Sequence, residues 1–329
     1  MQEDLFSANR RTVLGALAAI AASPVAMATD DAFPSRPIKY ILPFSAGSTT
    51  DILSRLVAKN LGERLNQPVV VENKPGAGGA IGTQMLARAA PDGYTIGLVS
   101  LATLAMLPAT TKDAPYDSVR DFSPLSALVS ADLFIVVGKR VLARTVADFV
   151  TWAKAQPKPV FLGTLGAGTS GHLVAFMFSE AAKFKSEPVH FRTISDLLPA
   201  MVSGDVDFAF VAPAQISSFL KEGTLRGLAT NAAARMSIFP EVPTFKEAGF
   251  PGMSFANWIG IVAPAKTPPD ILDRLQNEII KVAKSPAVQE KFNEWGLAPI
   301  ANTREEFGAA IKKDVVVWRD MVKATGFTV

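Results

Sequence analysis

Short apolar runs alternate along the chain with longer stretches in which apolar residues recur every three or four positions. The runs at 38–42, 69–71, 96–99, 133–137, 160–162, 208–211, 225–229 and 258–262 predict strands. The stretches at 51–65, 79–89, 146–155, 171–182, 197–203, 269–284 and 304–325 predict helices. Alternation of this kind predicts the α/β class, with mainly parallel sheets covered on both faces. Ligands of such sheets sit beyond the carboxyl ends of the strands. There is no solenoid repeat and no low-complexity linker. Candidate domain boundaries are the Pro-containing stretch 240–251 and the stretch 121–132.

The turns between strands and helices carry the chemistry. Pro43-Phe-Ser-Ala-Gly-Ser-Thr-Thr-Asp51 runs from a strand through small residues into a helix. A turn of this kind aims N–H groups and the positive end of the helix dipole at one point. Ser45, Ser48, Thr49 and Thr50 add hydroxyls, and no Lys or Arg lies within the turn. The predicted guest is an anion held by neutral donors. An N-capped turn with Thr50 or Asp51 as the cap explains the same residues without a ligand.

Gly163-Thr-Leu-Gly-Ala-Gly-Thr-Ser-Gly-His-Leu173 repeats this logic in mid-chain, with Thr169 and Ser170 at the cap and Gly166 and Gly168 permitting close approach. Two such turns predict a cleft with one on each wall. Val69-Val-Val-Glu-Asn-Lys-Pro-Gly-Ala-Gly-Gly-Ala-Ile-Gly82 is a third strand-to-helix turn. Its glycine spacing does not fit a dinucleotide fingerprint, and it lacks the Gly-Lys-Ser/Thr ending of a P-loop. Gly78 and Gly79 fit tight packing near the cleft, and Ser100 and Thr103 follow a strand end. Arg192 is the one cation placed near the cleft, where its planar fork suits a carboxylate; a solvated surface Arg is the competing account.

Composition narrows the classes. The chain has 329 residues, no cysteine, two histidines and a net charge of +3. Disulfide frameworks and thiol chemistry are excluded, and a basic nucleic-acid face is not suggested. His172 and His190 have no paired metal-ligand spacing, so no metal and no cofactor is expected. At the N-terminus Arg10 and Arg11 precede a short apolar run and the sequence Ala26-Met-Ala28. This predicts a signal peptide over 1–28, compatible with twin-arginine export, and an exported, periplasmic product. A Ser170 nucleophile served by His190 and an Asp would make a secreted serine hydrolase, but Gly168-Thr-Ser-Gly171 lacks nucleophile-elbow spacing.

With these residues in place the chain resembles the extracytoplasmic solute receptors of the tripartite tricarboxylate transporter family, often called Bug proteins. The resemblance runs from about Phe33 to the C-terminus. Its marks are the three turns above together with Ala90-Pro-Asp-Gly-Tyr-Thr95, Asp121-Phe-Ser-Pro124, Pro240-Glu-Val-Pro-Thr-Phe-Lys-Glu-Ala-Gly249 and Trp258-Ile-Gly-Ile-Val-Ala-Pro264. It implies a type II periplasmic-binding-protein fold: two α/β domains with mainly parallel sheets, joined by two crossing strands. The domains would be 29–130, 131–252 and a return of the first over 253–329, with the crossings near 133–137 and 252–262.

The resemblance also implies a small carboxylate ligand, gripped by the turns at Ser45–Thr49 and Gly168–Ser170. The expected ligand set is Phe44, Ser45, Ala46, Gly47, Ser48, Thr49, Asp51, Gly78, Gly79, Ser100, Thr103, Gly168, Thr169, Ser170, Arg192 and Thr193. Two positions depart from the family's habit. Ser48 stands where a glycine is common, and Thr193 replaces the glycine of a Tyr-Lys-Gly-like stretch. The expected function is a receptor without bond chemistry, a monomer that delivers its ligand to membrane permease subunits. A secreted serine hydrolase and a ligand sensor for a membrane signalling partner are the alternatives.

Overall fold

Strand β1 (Ile38–Leu42) leads through the first turn into helix α1 (Thr49–Leu65), and β2 (Val69–Asn73) leads through the glycine turn into α2 (Ala80–Ala87). This computed structural model describes residues 33–236 and 238–325, so the expected signal peptide at 1–28 lies outside the described residues. Strand β3 (Thr95–Ser100) is followed by a π-helical segment (Ala102–Met106) that continues into α3 (Leu107–Thr110). Next come β4 (Phe122–Ser130), β5 (Phe134–Gly138), α4 (Val146–Lys154), β6 (Val160–Thr164) and α5 (Ser170–Ala182). Then follow β7 (Ser186–His190), α6 (Ile194–Ser203), β8 (Phe208–Val211), α7 (Pro213–Lys221) and β9 (Leu225–Thr230). The chain closes with β10 (Trp258–Pro264), α8 (Pro269–Ala283), α9 (Pro286–Glu294), β11 (Ala298–Pro299) and α10 (Arg304–Thr325).

These strands form two sheets, one in the order β11-β4-β10-β3-β1-β2 and the other in the order β7-β6-β8-β5-β9. Both sheets are mixed rather than mainly parallel. The βα units give parallel pairs, β1 with β2 and β3, and β6 with β7 and β8. The antiparallel pairs are β10 against β3 and β4, β11 against β4, and β5 against β8 and β9. Each sheet thus receives strands from both directions, which the βα alternation alone does not encode.

The stretch 121–132, read as a boundary, is mostly β4, whose partner across the ladder is β10. Its serines obscure the apolar run, yet Ser126 is fully buried and its hydroxyl donates to the Asn302 carbonyl at 2.7 Å. A hydroxyl satisfied in this way can sit in a core strand. The chain leaves the first sheet after Ser130 and enters the second at Phe134, so β5 lies within the second sheet rather than crossing.

Burial explains why the elements hold. Every residue of β10 is buried, which fits a central strand covered on both faces. Trp258 packs edge-on against Phe307 of α10 with ring centroids 5.1 Å apart, and its Nε1–H donates to Asp314 Oδ2 at 2.7 Å. Around the second sheet, Phe178 of α5 stacks on Phe149, meets Phe184, Phe210 and Phe250 edge-on, and lies tilted against Phe245. Such aromatic packing fixes where α5, and with it the turn at its N-terminus, sits on the sheet.

Candidate functional site

The first turn is held by Asp51, a buried residue on the first turn of α1. Its Oδ2 accepts the Gly47 N–H at 2.9 Å and the Arg55 Nε–H at 3.1 Å, and its Oδ1 accepts from Asn73 Nδ2 at 3.0 Å. Asn73 also donates to the Phe44 carbonyl at 3.0 Å, tying the turn to the end of β2. Bonding to Arg55, above all, holds the Asp51 carboxyl down at about 2. Gly47 has φ +78°, a conformation that costs glycine nothing. Ser48 is the cap: its hydroxyl accepts the Asp51 N–H at 3.2 Å and donates to the Ser45 carbonyl at 2.8 Å. Thr49 and Thr50 open the helix, where N–H groups precede the first intrahelical acceptor.

The turn before α5 is built in the same way. Gly168, with φ +74°, donates its N–H to His172 Nδ1 at 3.2 Å, again four residues on and inside the following helix. Thr169 caps α5 through its backbone, while its hydroxyl donates to the Gly166 carbonyl at 2.8 Å. Gly171 lets the helix start lie against β8, since a Cβ there would stand 2.6 Å from the Phe210 carbonyl oxygen. His172 is buried against His190, ring centroids 5.4 Å apart. Burial first, then the neighbouring imidazole, pushes its pKa below the usual histidine range.

Both turns face one cavity of about 380 Å³. From the first sheet's half come Pro43, Phe44, Ser45, Thr50, Pro75, Gly76, Gly78, Gly79, Ser100, Ala102, Asn257 and Ile259; from the second come Gly168, Thr169 and Ser170. No charged side chain is among them. Of the expected ligand set, Phe44, Ser45, Gly78, Gly79, Ser100, Gly168, Thr169 and Ser170 are brought together here.

The other expected residues lie off the cavity wall. Ala46, Gly47, Ser48 and Thr49 form the outer arc of their turn, and Asp51 braces it from behind. Thr103 is fully buried, its hydroxyl accepting the Ser100 N–H at 3.0 Å, so it positions Ser100. Arg192 is exposed beyond β7, and Thr193 is the N-cap of α6, accepting the Asp196 N–H at 3.3 Å. Thr193 therefore serves the start of α6 rather than the cavity.

Sequence reasoning missed Pro43, Thr50 as a wall residue, Pro75, Gly76, Ala102, Asn257 and Ile259. Thr50 could have been found from its place in the first turn. Asn257 could not, because nothing local marks a residue brought to the cavity by the return of the chain. His172 offers its Nδ1 lone pair to the Gly168 N–H rather than to Ser170, so this histidine braces the turn.

Two α/β halves whose helix N-termini meet at one neutral, donor-lined cavity define a solute-binding protein of the periplasmic-binding-protein type. Residues 53–327 match the family model described as Tripartite tricarboxylate transporter family receptor, and the chain belongs to that family. It is 32% identical to Protein BugT of Bordetella pertussis (strain Tohama I) over 301 residues, which are 90% of this chain and 91% of BugT. Among solved structures, it is similar to R. palustris Rpa4515 with adipate (27% identity, TM-score 0.79, 90% of this chain and 99% of that one). It is also similar to MatC (Rpa3494) from Rhodopseudomonas palustris with bound malate (26% identity, TM-score 0.76, 88% and 100%). The family is one of receptors rather than enzymes, which sets the hydrolase alternative aside.

Proposed function

We propose that this receptor captures a small organic carboxylate in the cavity between its two sheets. The observation that carries this is the convergence of two helix N-terminal turns, one from each half, on a space lined by hydroxyls and backbone but by no charged side chain. Ligand touching both turns favours their approach, so binding and closure are one equilibrium. Ser45, Thr50, Ser100 and Ser170 supply adjustable hydroxyls, Gly78, Gly79 and Gly168 expose backbone, and Phe44 and Ile259 meet the carbon skeleton. The bound adipate and malate of the two Rhodopseudomonas relatives support a carboxylate as the class.

The working units are a first domain of 29–130 with 253–329 and a second of 131–252. The chain acts as an exported monomer that loses residues 1–28 and hands its ligand to the permease subunits of a tripartite tricarboxylate-type transporter. Among the described residues no helix is long and apolar enough to cross a membrane.

The test is a thermal-shift panel of mono-, di- and tricarboxylates, acidic amino acids and aromatic acids on the signal-free protein, followed by calorimetry. A ligand that binds only the folded state raises the midpoint by mass action. A saturable shift for one class that is lost in Ser170→Ala is expected. Silence across the panel, or a shift indifferent to Ser170, overturns the assignment.

A further inference from the structure

The passage between the sheets is tied by three buried polar side chains, Asp132, Asn231 and Asn257. Asp132 Oδ1 accepts from Ser130 Oγ at 2.6 Å, from Asn231 Nδ2 at 3.1 Å and from the Asn257 N–H at 3.2 Å. Asn231 Oδ1 accepts the Leu133 N–H at 2.6 Å, and its Nδ2 also reaches the Phe255 carbonyl at 2.8 Å. Asn257 Nδ2 donates to the Ala131 carbonyl at 2.7 Å. Every one of these bonds joins residues of the crossing segments to one another. Sliding one half past the other would strand buried polar groups without partners, which is costly. Rotation centred on the knot keeps them paired.

The knot also stands between two cavities. Asn257 lines the cavity described above, while Asp132 lines a second one of about 460 Å³. Sheet order puts them on opposite flanks of β10. The front cavity includes the β3–β10 pair Ser100 and Ile259; the back cavity includes the β4–β11 pair Ser130 and Ala298. The facing wall of the back cavity is the segment after β9, with Ala233, Arg235 and Ile238. The two walls nearly touch at Gly296, where an added Cβ would stand 3.4 Å from Ile238 Cδ1 and 3.5 Å from Ala214 Cβ.

We propose that the back cavity is the counter-space of the hinge: rotation about the Asp132–Asn231–Asn257 knot that opens the front narrows the back. Side-chain volume behind the knot then sets the open–closed equilibrium, and through it the affinity. The affinity consequence rests on the carboxylate reading above; the mechanical coupling stands without a ligand.

The test uses the absence of cysteine from the chain. Labels are placed at Ile81→Cys and Leu142→Cys, exposed by 50% and 82% and flanking different sheets, and energy transfer between them is read without ligand. Ala233→Trp and Ala298→Trp add bulk at the back from opposite walls, and Ala102→Trp adds it at the front. Both back variants should shift the transfer distribution in one direction and the front variant in the other.

Calorimetry with adipate should show the back variants binding up to about fivefold tighter, a gain limited by the fraction already closed. Folding of each variant is checked by its melting transition, and if one back variant fails to fold, the other decides. Shifts of the same sign from front and back, or no shift in folded back variants, overturn the proposal. If adipate binds none of the proteins, the label experiment still decides the hinge, and the carboxylate reading is judged apart from it by the wider ligand panel.

Discussion

The Gly168 N–H points at Nδ1 of His172, 3.2 Å away, just as the Gly47 N–H points at Oδ2 of Asp51, 2.9 Å away. Each glycine has positive φ, each acceptor lies four residues on, and each pair closes the turn that opens a helix at the cavity. Two unrelated side chains thus solve one problem. They hold a glycine peptide plane before any ligand arrives, which lowers the ordering cost of binding.

The histidine version depends on pH. Nδ1 can accept only while unprotonated, and the His172 pKa in the folded protein lies below its ordinary value near 6.5. A group depressed on folding contributes stability that is complete above its unfolded pKa and is lost as pH falls through the folded one. Melting temperature and carboxylate affinity should both decline below about pH 6.5, and His172→Leu should flatten that part of the profile. A wild-type profile that His172→Leu leaves unchanged would remove this histidine from the account.

Asp51 makes the matching contribution in a lower window. Its stabilisation is present above the ordinary aspartate range and disappears as pH falls toward about 2. Asp51→Ala leaves the Gly47 N–H without its acceptor and Asn73 with the Phe44 carbonyl alone, and should cost about 1–3 kcal/mol in denaturant unfolding. Ligand affinity should fall with it, because the turn loses its brace. Full stability in Asp51→Ala would contradict the brace.

The two neighbouring hydroxyls at the start of α5 should separate. Both residues line the cavity, but the Thr169 hydroxyl is spent on the Gly166 carbonyl, which leaves the ligand contact to Ser170. Ser170→Ala should weaken carboxylate binding by about 1–2 kcal/mol with little change in melting temperature, as expected for one lost hydrogen bond to a charged group. Thr169→Val should instead lower the melting temperature. Calorimetry and melting of both variants read the contrast, and equal effects on binding would contradict it.

Gly82 reports on packing between the first two turns. A Cβ there would lie 2.6 Å from the Lys74 carbonyl oxygen and 2.8 Å from Pro43 Cα, both backbone atoms that cannot swing aside. Gly82→Ala should destabilise by about 1–3 kcal/mol, the usual range for an overpacked site, and should displace the Pro43 turn. Denaturant unfolding checks the first effect and loss of ligand affinity the second.

The strand–turn–helix units were legible because their signals are local: an apolar run, a glycine, a hydroxyl cap. Both turns at the cavity were visible for that reason, down to Ser45 and Ser170. Strand β4 was not, since Ser123, Pro124 and Ser126 read as a connection until β10 and Asn302 are brought beside them. Strand β7, Ser186–His190, is largely exposed and contains Pro188, so its alternation carries little signal. Asp132, Asn231 and Asn257 were illegible in a stricter sense. Their bonds span up to 126 positions in the chain, and no pattern near any one of them announces the other two.

The neutral cavity wall has a consequence for working conditions. With no lysine or arginine facing the guest, there is no counter-ion atmosphere to displace and little for salt to screen. Capture and release should therefore proceed at nearly the same strength in dilute and in saline surroundings. Wherever ionic strength varies around the receptor, this makes neutral dipoles a steadier grip than opposite charge.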